Sequence, residues 1–105
     1  MATINWNGKS GNSYEYTIYN RTTAFKPVAG NYVFAKESRP GHWTPIYFGE
    51  TGDLSSRFLD HHQNDCIDKH GATHIHVHSN SAGRQARLDE ETDLRAQWST
   101  PCNKQ

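Results

Sequence analysis

The sequence lacks any long apolar run. Its 105 residues contain neither a stretch of about 18 consecutive apolar residues, as a membrane-spanning helix needs, nor the apolar region of a signal peptide. Only 33% of the residues are hydrophobic, and the mean hydropathy is −0.93. We therefore expect one soluble domain that is not exported and is cytoplasmic.

Cysteine is also scarce. The sequence has two cysteines, Cys66 and Cys102. Their spacing matches neither a familiar metal-binding motif nor the dense pattern of a disulfide-stabilised secreted domain. We expect both to be free thiols in a reducing cytosol.

An excess of positive charge is absent as well. The formal net charge is zero and the isoelectric point is about 7.1. A dedicated nucleic-acid-binding domain usually has an isoelectric point above about 9. Any binding to DNA by this chain alone should therefore be weak and sensitive to salt.

Aromatic residues and alternating patterns are abundant in the first half. The chain has three Trp, five Tyr and four Phe, which bury much area per residue. Tyr14, Tyr16 and Ile18 alternate after a turn-rich segment at 7–12, which predicts an N-terminal β-hairpin. A second strand is predicted at 30–35.

The segment 46–62 combines a β-prone run, a glycine turn and a helix. The run at 46–48 is followed by Gly49 and Gly52, and Asp53 is placed to cap a helix over about 53–64. Arg57 and His61 are four residues apart and so share one helix face. An arginine and a histidine held in this way suit a bound phosphate.

Residues 72–79 alternate strictly and predict another strand. His74, His76 and His78 lie on one face of it, and such imidazoles could bind Zn²⁺ or another transition metal. The alternative is a solvated sheet face that happens to carry histidine.

A final helix is predicted over about 82–97, and it contains a misplaced carboxylate. Glu91 falls within the apolar arc of this helix, which is formed by Leu88, Leu94 and Trp98. A carboxylate directed at a core is costly unless it is paired or bound to a cation. Glu91 is therefore either a metal ligand or acid/base group, or a marginal residue that pairs with Arg87 or Arg95.

The order of these motifs resembles the GIY-YIG nuclease family. Gly30-Asn31-Tyr32 corresponds to the first tripeptide and Tyr47-Phe48-Gly49 to the second. Arg57 follows in the next helix, and Glu91 and Leu94 precede a closing Pro101-Cys102-Asn103. The resemblance covers about residues 30–103, so it implies a nuclease domain at 30–105 preceded by an added hairpin at 1–29.

The resemblance implies an α+β fold, with a central antiparallel three-stranded sheet flanked by helices. It also implies metal-dependent endonucleolytic cleavage of DNA, with Mg²⁺ or Mn²⁺ as cofactor. Tyr32 and Tyr47 would flank the attacking water, Arg57 would hold the scissile phosphate, and His61 could assist proton transfer. Glu91 would bind the metal, and Asn103 would brace the site through hydrogen bonds.

The chain departs from the family pattern in three respects. Asn31 occupies a position that is apolar in the family, a Pro40-Gly41 loop separates the two tripeptides, and a second DNA-binding domain is missing. A homodimer or a separate DNA-binding partner would then supply affinity for DNA. The alternatives are a weak or inactive module that binds nucleic acid or protein, and a metal-binding protein built on His74, His76 and His78.

Overall fold

A computed structural model describes residues 2–57 and 63–103, with only the backbone described for Arg57. The strands are β1 (Thr3–Asn7), β2 (Ser13–Asn20), β3 (Gly30–Arg39), β4 (His42–Thr51) and β5 (His74–Ser79). The helices are α1 (Leu54–Arg57), α2 (Asn64–Lys69) and α3 (Arg84–Gln97), followed by a 3₁₀ helix, η1 (Pro101–Asn103).

The five strands form one antiparallel sheet in the order β1-β2-β5-β3-β4. The predicted α+β class and the antiparallel sheet with helices are confirmed. The sheet has five strands, however, where we expected three. The reason is that β2 pairs with β5 from Thr17↔Val77 to Asn20↔His74, so the N-terminal hairpin extends the sheet.

The Pro40-Gly41 loop is the tight turn of a long β3–β4 hairpin. Arg39 pairs with His42 across this turn, and Gly41 has a φ of 77°, which glycine adopts without steric cost. The loop therefore lengthens the hairpin beyond the predicted strands and leaves the pairing of Tyr32 with Gly49 intact.

The start of the predicted helix over about 53–64 is confirmed by α1. Asp53 caps α1, since its Oδ1 accepts the Ser55 backbone N–H at 2.9 Å. The Ser55 hydroxyl also donates to this oxygen, at 2.6 Å. The hydrogen bonds from the Ser55 hydroxyl and backbone N–H lower the pKa of Asp53. Residues 58–62 lie outside the described part of the chain, and α2 begins at Asn64.

Helices pack on both faces of the sheet. The central strands carry apolar side chains on each face, so there are two buried cores. The α2 face, on which α1 and α2 pack, has a buried core of Tyr32, Phe34, Ile46, Leu54, Ile67, Ile75, Val77 and Cys102. The α3 face has a second core of Trp6, Tyr16, Val33, Ala35, Phe48 and Leu94. Strand β3 is consequently buried on both sides from Gly30 to Ala35.

The expectation of free thiols is wrong. Cys66 of α2 and Cys102 of η1 form a disulfide, with their Cα atoms 5.8 Å apart. The sequence does not reveal this pairing because the two cysteines are 36 positions apart and only tertiary packing brings η1 against α2.

The described helices are all too short or too polar to cross a membrane.

Candidate active site

The two tyrosines of the tripeptides lie side by side on the α2 face. Tyr32 in β3 is opposite Gly49, and Tyr47 in β4 is opposite Phe34, so the tyrosines are diagonal neighbours across the hairpin. Their ring centroids are 6.1 Å apart and the rings are inclined by 24°. Tyr32 is buried, whereas Tyr47 is half-buried.

Gly49 makes room for the Tyr32 ring. A Cβ atom at this position would lie 2.4 Å from Cζ and 2.5 Å from the hydroxyl oxygen of Tyr32, far inside normal contact distance. The ring therefore lies directly across the backbone of β4, and the second tripeptide needs glycine at its end for steric reasons.

Asn103 holds the outer edge of β4 at the centre of the second tripeptide. Its Oδ1 accepts the Phe48 N–H at 2.8 Å, and its Nδ2 donates to the Phe48 carbonyl at 2.9 Å. The Thr100 hydroxyl donates to the same Oδ1 at 2.6 Å, which fixes the orientation of the amide. Asn103 thus pairs with β4 as a neighbouring strand would, next to Tyr47 and Gly49.

Glu91 is linked to Asn103 through Arg95. Arg95 Nη1 donates to Glu91 Oε2 at 3.3 Å, and Arg95 Nη2 donates to the Asn103 carbonyl at 2.9 Å. The side chain of Glu91 is 19% exposed, so it lies at the margin of the α3 packing surface. Of the two interpretations open from the sequence, pairing with Arg95 is thus observed, and whether Glu91 also binds a metal stays a prediction.

Arg57 is the last residue of α1, which begins shortly after β4 ends at Thr51. The side chain of Arg57 and the whole of His61 lie outside the described part of the chain. Their proposed roles remain predictions from the sequence.

The three histidines of β5 do share one face, the α3 face, but each has a different environment. His74 contacts Trp43, His76 lies between Trp6 and Trp43, and His78 contacts Glu90. Among the described residues they are not a group of three whose ligand atoms lie within 4.8 Å of one another.

His76 is a neutral core residue rather than part of a solvated face. It is 0% exposed, and its Nδ1 accepts the Trp6 indole N–H at 3.0 Å. Burial lowers its pKa to about 4, with a smaller contribution from His74. Its proton is therefore on Nε2, which has no hydrogen-bond partner within the described structure.

The buried carboxylate of α3 is Glu90, which the helical-wheel argument missed. Glu90 is 5% exposed, and its Oε2 accepts the Tyr16 hydroxyl at 2.5 Å and contacts His78 Nδ1 at 2.9 Å. The hydrogen bond with Glu90 raises the pKa of His78, while burial, with a further contribution from Glu90, raises that of Tyr16 well above its usual value.

The buried residues of α3 form a single stripe that includes Glu90. Arg87, Glu90 and Leu94 recur at intervals of three and four, which is a helix stripe that contains two charged residues. Tyr16 and His78 supply the polar partners that make the burial of Glu90 tolerable.

Asn31 has a structural role. It is 1% exposed, and its Nδ2 donates to the Arg87 carbonyl at 2.9 Å. Arg87 in turn donates from Nε to Glu50 at 3.3 Å. The first tripeptide is therefore joined to α3 by a hydrogen bond where an apolar side chain would make only packing contacts.

Comparisons with known proteins found no family model, no curated protein and no solved structure that matches this chain.

Proposed function

We propose that this chain is a divalent-metal-dependent endonuclease that hydrolyses phosphodiester bonds in DNA through a GIY-YIG-type site. The observation that carries the proposal is the stacked pair of Tyr32 and Tyr47, held by Gly49 and by the Asn103 amide on Phe48. Within the larger sheet, β5, β3 and β4 are adjacent and antiparallel, in keeping with the three-stranded unit that the family resemblance implies.

The exposure of the two tyrosines suggests different roles for them. Tyr47 is half-buried, so its phenol oxygen is the better placed of the two to position the attacking water and, as the phenolate, to accept a proton from it. Tyr32 is buried against Gly49 and supports the orientation of the Tyr47 ring. In this proposal Asn103 keeps β4, and with it Tyr47, in place.

Arg57 would hold the scissile phosphate. A guanidinium binds two phosphoryl oxygens at once and stabilises the charge that develops on them. Its position in α1, directly after the strand that carries Tyr47, favours this role.

Glu91 would hold the metal ion. Because α3 packs on the face of the sheet opposite to the two tyrosines, the ion would lie at the β4 edge, where Arg95 links Glu91 to Asn103. A carboxylate is a hard oxygen donor, and Mg²⁺ commonly retains several waters and needs few protein ligands, so this donor suits Mg²⁺ or Mn²⁺. The 3.3 Å contact with Arg95 is longer than the ~2.7–2.9 Å of a strong charge-assisted hydrogen bond. A bound cation would stabilise negative charge on the leaving oxygen.

The neutral net charge supports only weak binding to DNA by a single chain. A homodimer or a separate DNA-binding partner would supply the remaining affinity, and both would make cleavage depend strongly on protein concentration or on added partner.

Cleavage of supercoiled plasmid tests the proposal directly. The wild-type protein should nick the plasmid with Mg²⁺ or Mn²⁺ and not with a chelator. Glu91→Gln keeps the size of the side chain and an acceptor for Arg95, and should lower the metal-dependent rate by roughly 10²–10³-fold. Asp89→Asn on the exposed side of the same helix is the matched control and should cleave normally.

Arg57→Lys completes the test, since it keeps the charge and removes the two-point contact with phosphate. It should also cleave much more slowly. Equal rates for wild type and Glu91→Gln would place the active site elsewhere. Binding to DNA by a folded wild-type protein that never cleaves would instead support the non-catalytic interaction module.

A further inference from the structure

We propose that Cys66, His70 and Cys102 form a Zn²⁺ site when the two cysteines are reduced. The site would replace the disulfide as the link between α2 and η1. The proposal is independent of the nuclease proposal, since it uses none of the same side chains.

The geometry brings the three donors together. Cys66 lies within α2 and His70 is the C-cap residue directly after it, where its backbone N–H donates to the Cys66 carbonyl, and Cys102 approaches from η1. One ligand atom from each lies within 4.8 Å of the other two. Within the part of the chain that the structure describes, this is the one group of His, Cys, Asp or Glu residues that meets that condition.

The donor set selects zinc over Mg²⁺. Two thiolates and an imidazole are soft and borderline ligands, which suit Zn²⁺, and a tetrahedral Zn²⁺ with Zn–S bonds of ~2.3 Å holds its sulfurs roughly 3.8 Å apart. The Cα atoms of the two cysteines are 5.8 Å apart, and rotation of the reduced side chains would have to bring the sulfurs to that separation. His70 is exposed, so water can occupy the fourth coordination position.

Oxidation and zinc binding are mutually exclusive at this site. A peroxide takes two electrons from the two thiolates: one thiolate attacks a peroxide oxygen to give a sulfenic acid, and the second thiolate then attacks that sulfur. The products are the disulfide, two waters for each H₂O₂ after uptake of two protons, and free Zn²⁺. A thiol reductant restores the two thiols and the site.

The disulfide and the zinc site would each attach η1, the segment that carries Asn103, to α2. Cys102 is covalently adjacent to Asn103, whose amide holds the Phe48 backbone. In the reduced, metal-free protein the covalent link between α2 and η1 is absent. Zinc should therefore restore the rigidity of η1 under reducing conditions, which predicts a higher melting temperature for the reduced protein with zinc than without it.

The test is metal binding to the full chain, reduced and stripped of metal by a chelator. Zn²⁺ should bind in a 1:1 ratio, measured by competition with a chromophoric chelator, and Co²⁺ should give thiolate-to-cobalt charge-transfer bands and the intense visible bands of a tetrahedral ion. The oxidised protein should show neither. His70→Ala keeps both cysteines, and its oxidised form serves as a check on folding.

Reduced His70→Ala should bind Zn²⁺ at least ~100-fold more weakly, which is the upper end of the losses seen when only a partner of a ligand is removed. Cys66→Ser should abolish the cobalt charge-transfer bands. His74→Asn, which alters a histidine of the β5 strand, is the control and should bind as wild type does. A reduced wild type that binds no zinc, or zinc affinity that survives in His70→Ala and falls in His74→Asn, would overturn the proposal.

Discussion

Replacing Gly49 by alanine should damage both the stability of the fold and the proposed active site. The added methyl group would lie 2.4 Å from Tyr32 Cζ, where ordinary contact begins at 3.4 Å, so an atom must move by about 1 Å. The Tyr32 ring is buried and sits on β4 backbone, and it cannot swing into solvent. Either the ring or the β3–β4 pairing must therefore shift.

The expected cost follows from overpacking in a buried site, which is typically about 1–3 kcal/mol. Alanine also restricts the unfolded chain more than glycine does, which offsets about 0.4–1 kcal/mol. The net loss should be roughly 1–2 kcal/mol, and a domain of this size should then melt roughly 5–15 °C lower.

Gly52→Ala is the matched control three residues away. A Cβ there has as its nearest neighbour the end of the Arg87 side chain, at 4.0 Å. This variant should be as stable as wild type or slightly more stable, because only the unfolded-state effect remains.

The assay is urea unfolding of oxidised wild type and both variants, followed by tryptophan fluorescence and far-ultraviolet circular dichroism. Plasmid cleavage is measured in parallel below the melting transition. Gly49→Ala should lose cleavage as well as stability, since the Tyr32 ring that supports Tyr47 is displaced. If Gly49→Ala and Gly52→Ala were equally stable, the close approach of Tyr32 to β4 would be refuted.

Two further predictions concern buried polar groups. Folding lowers the pKa of His76 from 6.5 to about 4, so between these pH values the unfolded chain binds a proton at His76 that the folded protein does not. The free energy of unfolding is therefore highest above pH 6.5 and falls as the pH drops toward 4. The loss is about 3 kcal/mol. His76→Asn retains an acceptor for Trp6 and should be less stable than wild type. Its free energy of unfolding, measured by urea titration, should change less over that pH range. Asn103→Ala leaves the Phe48 N–H and C=O unpaired and should destabilise the protein by about 1–3 kcal/mol, with cleavage reduced below the melting transition; unchanged melting would show that Asn103 does not hold β4.

Local patterns in the sequence were sufficient for much of the fold. Alternation at 14–18 and 72–79 identified β2 and β5, the Pro40-Gly41 pair identified the turn, and Asp53 identified the start of a helix. Each of these signals depends on residues within a few positions of one another, where backbone preference and side-chain direction are set locally. The face shared by the β5 histidines followed from the same rule.

Partners distant in the sequence depended on tertiary packing. The pairing of β2 with β5 placed Tyr16 and His78 beneath α3, and only there does the burial of Glu90 make chemical sense. The Cys66–Cys102 disulfide likewise requires η1 to lie against α2. A helical wheel or a spacing rule describes one element at a time, whereas a buried carboxylate or a disulfide is specified by what the opposite element presents to it.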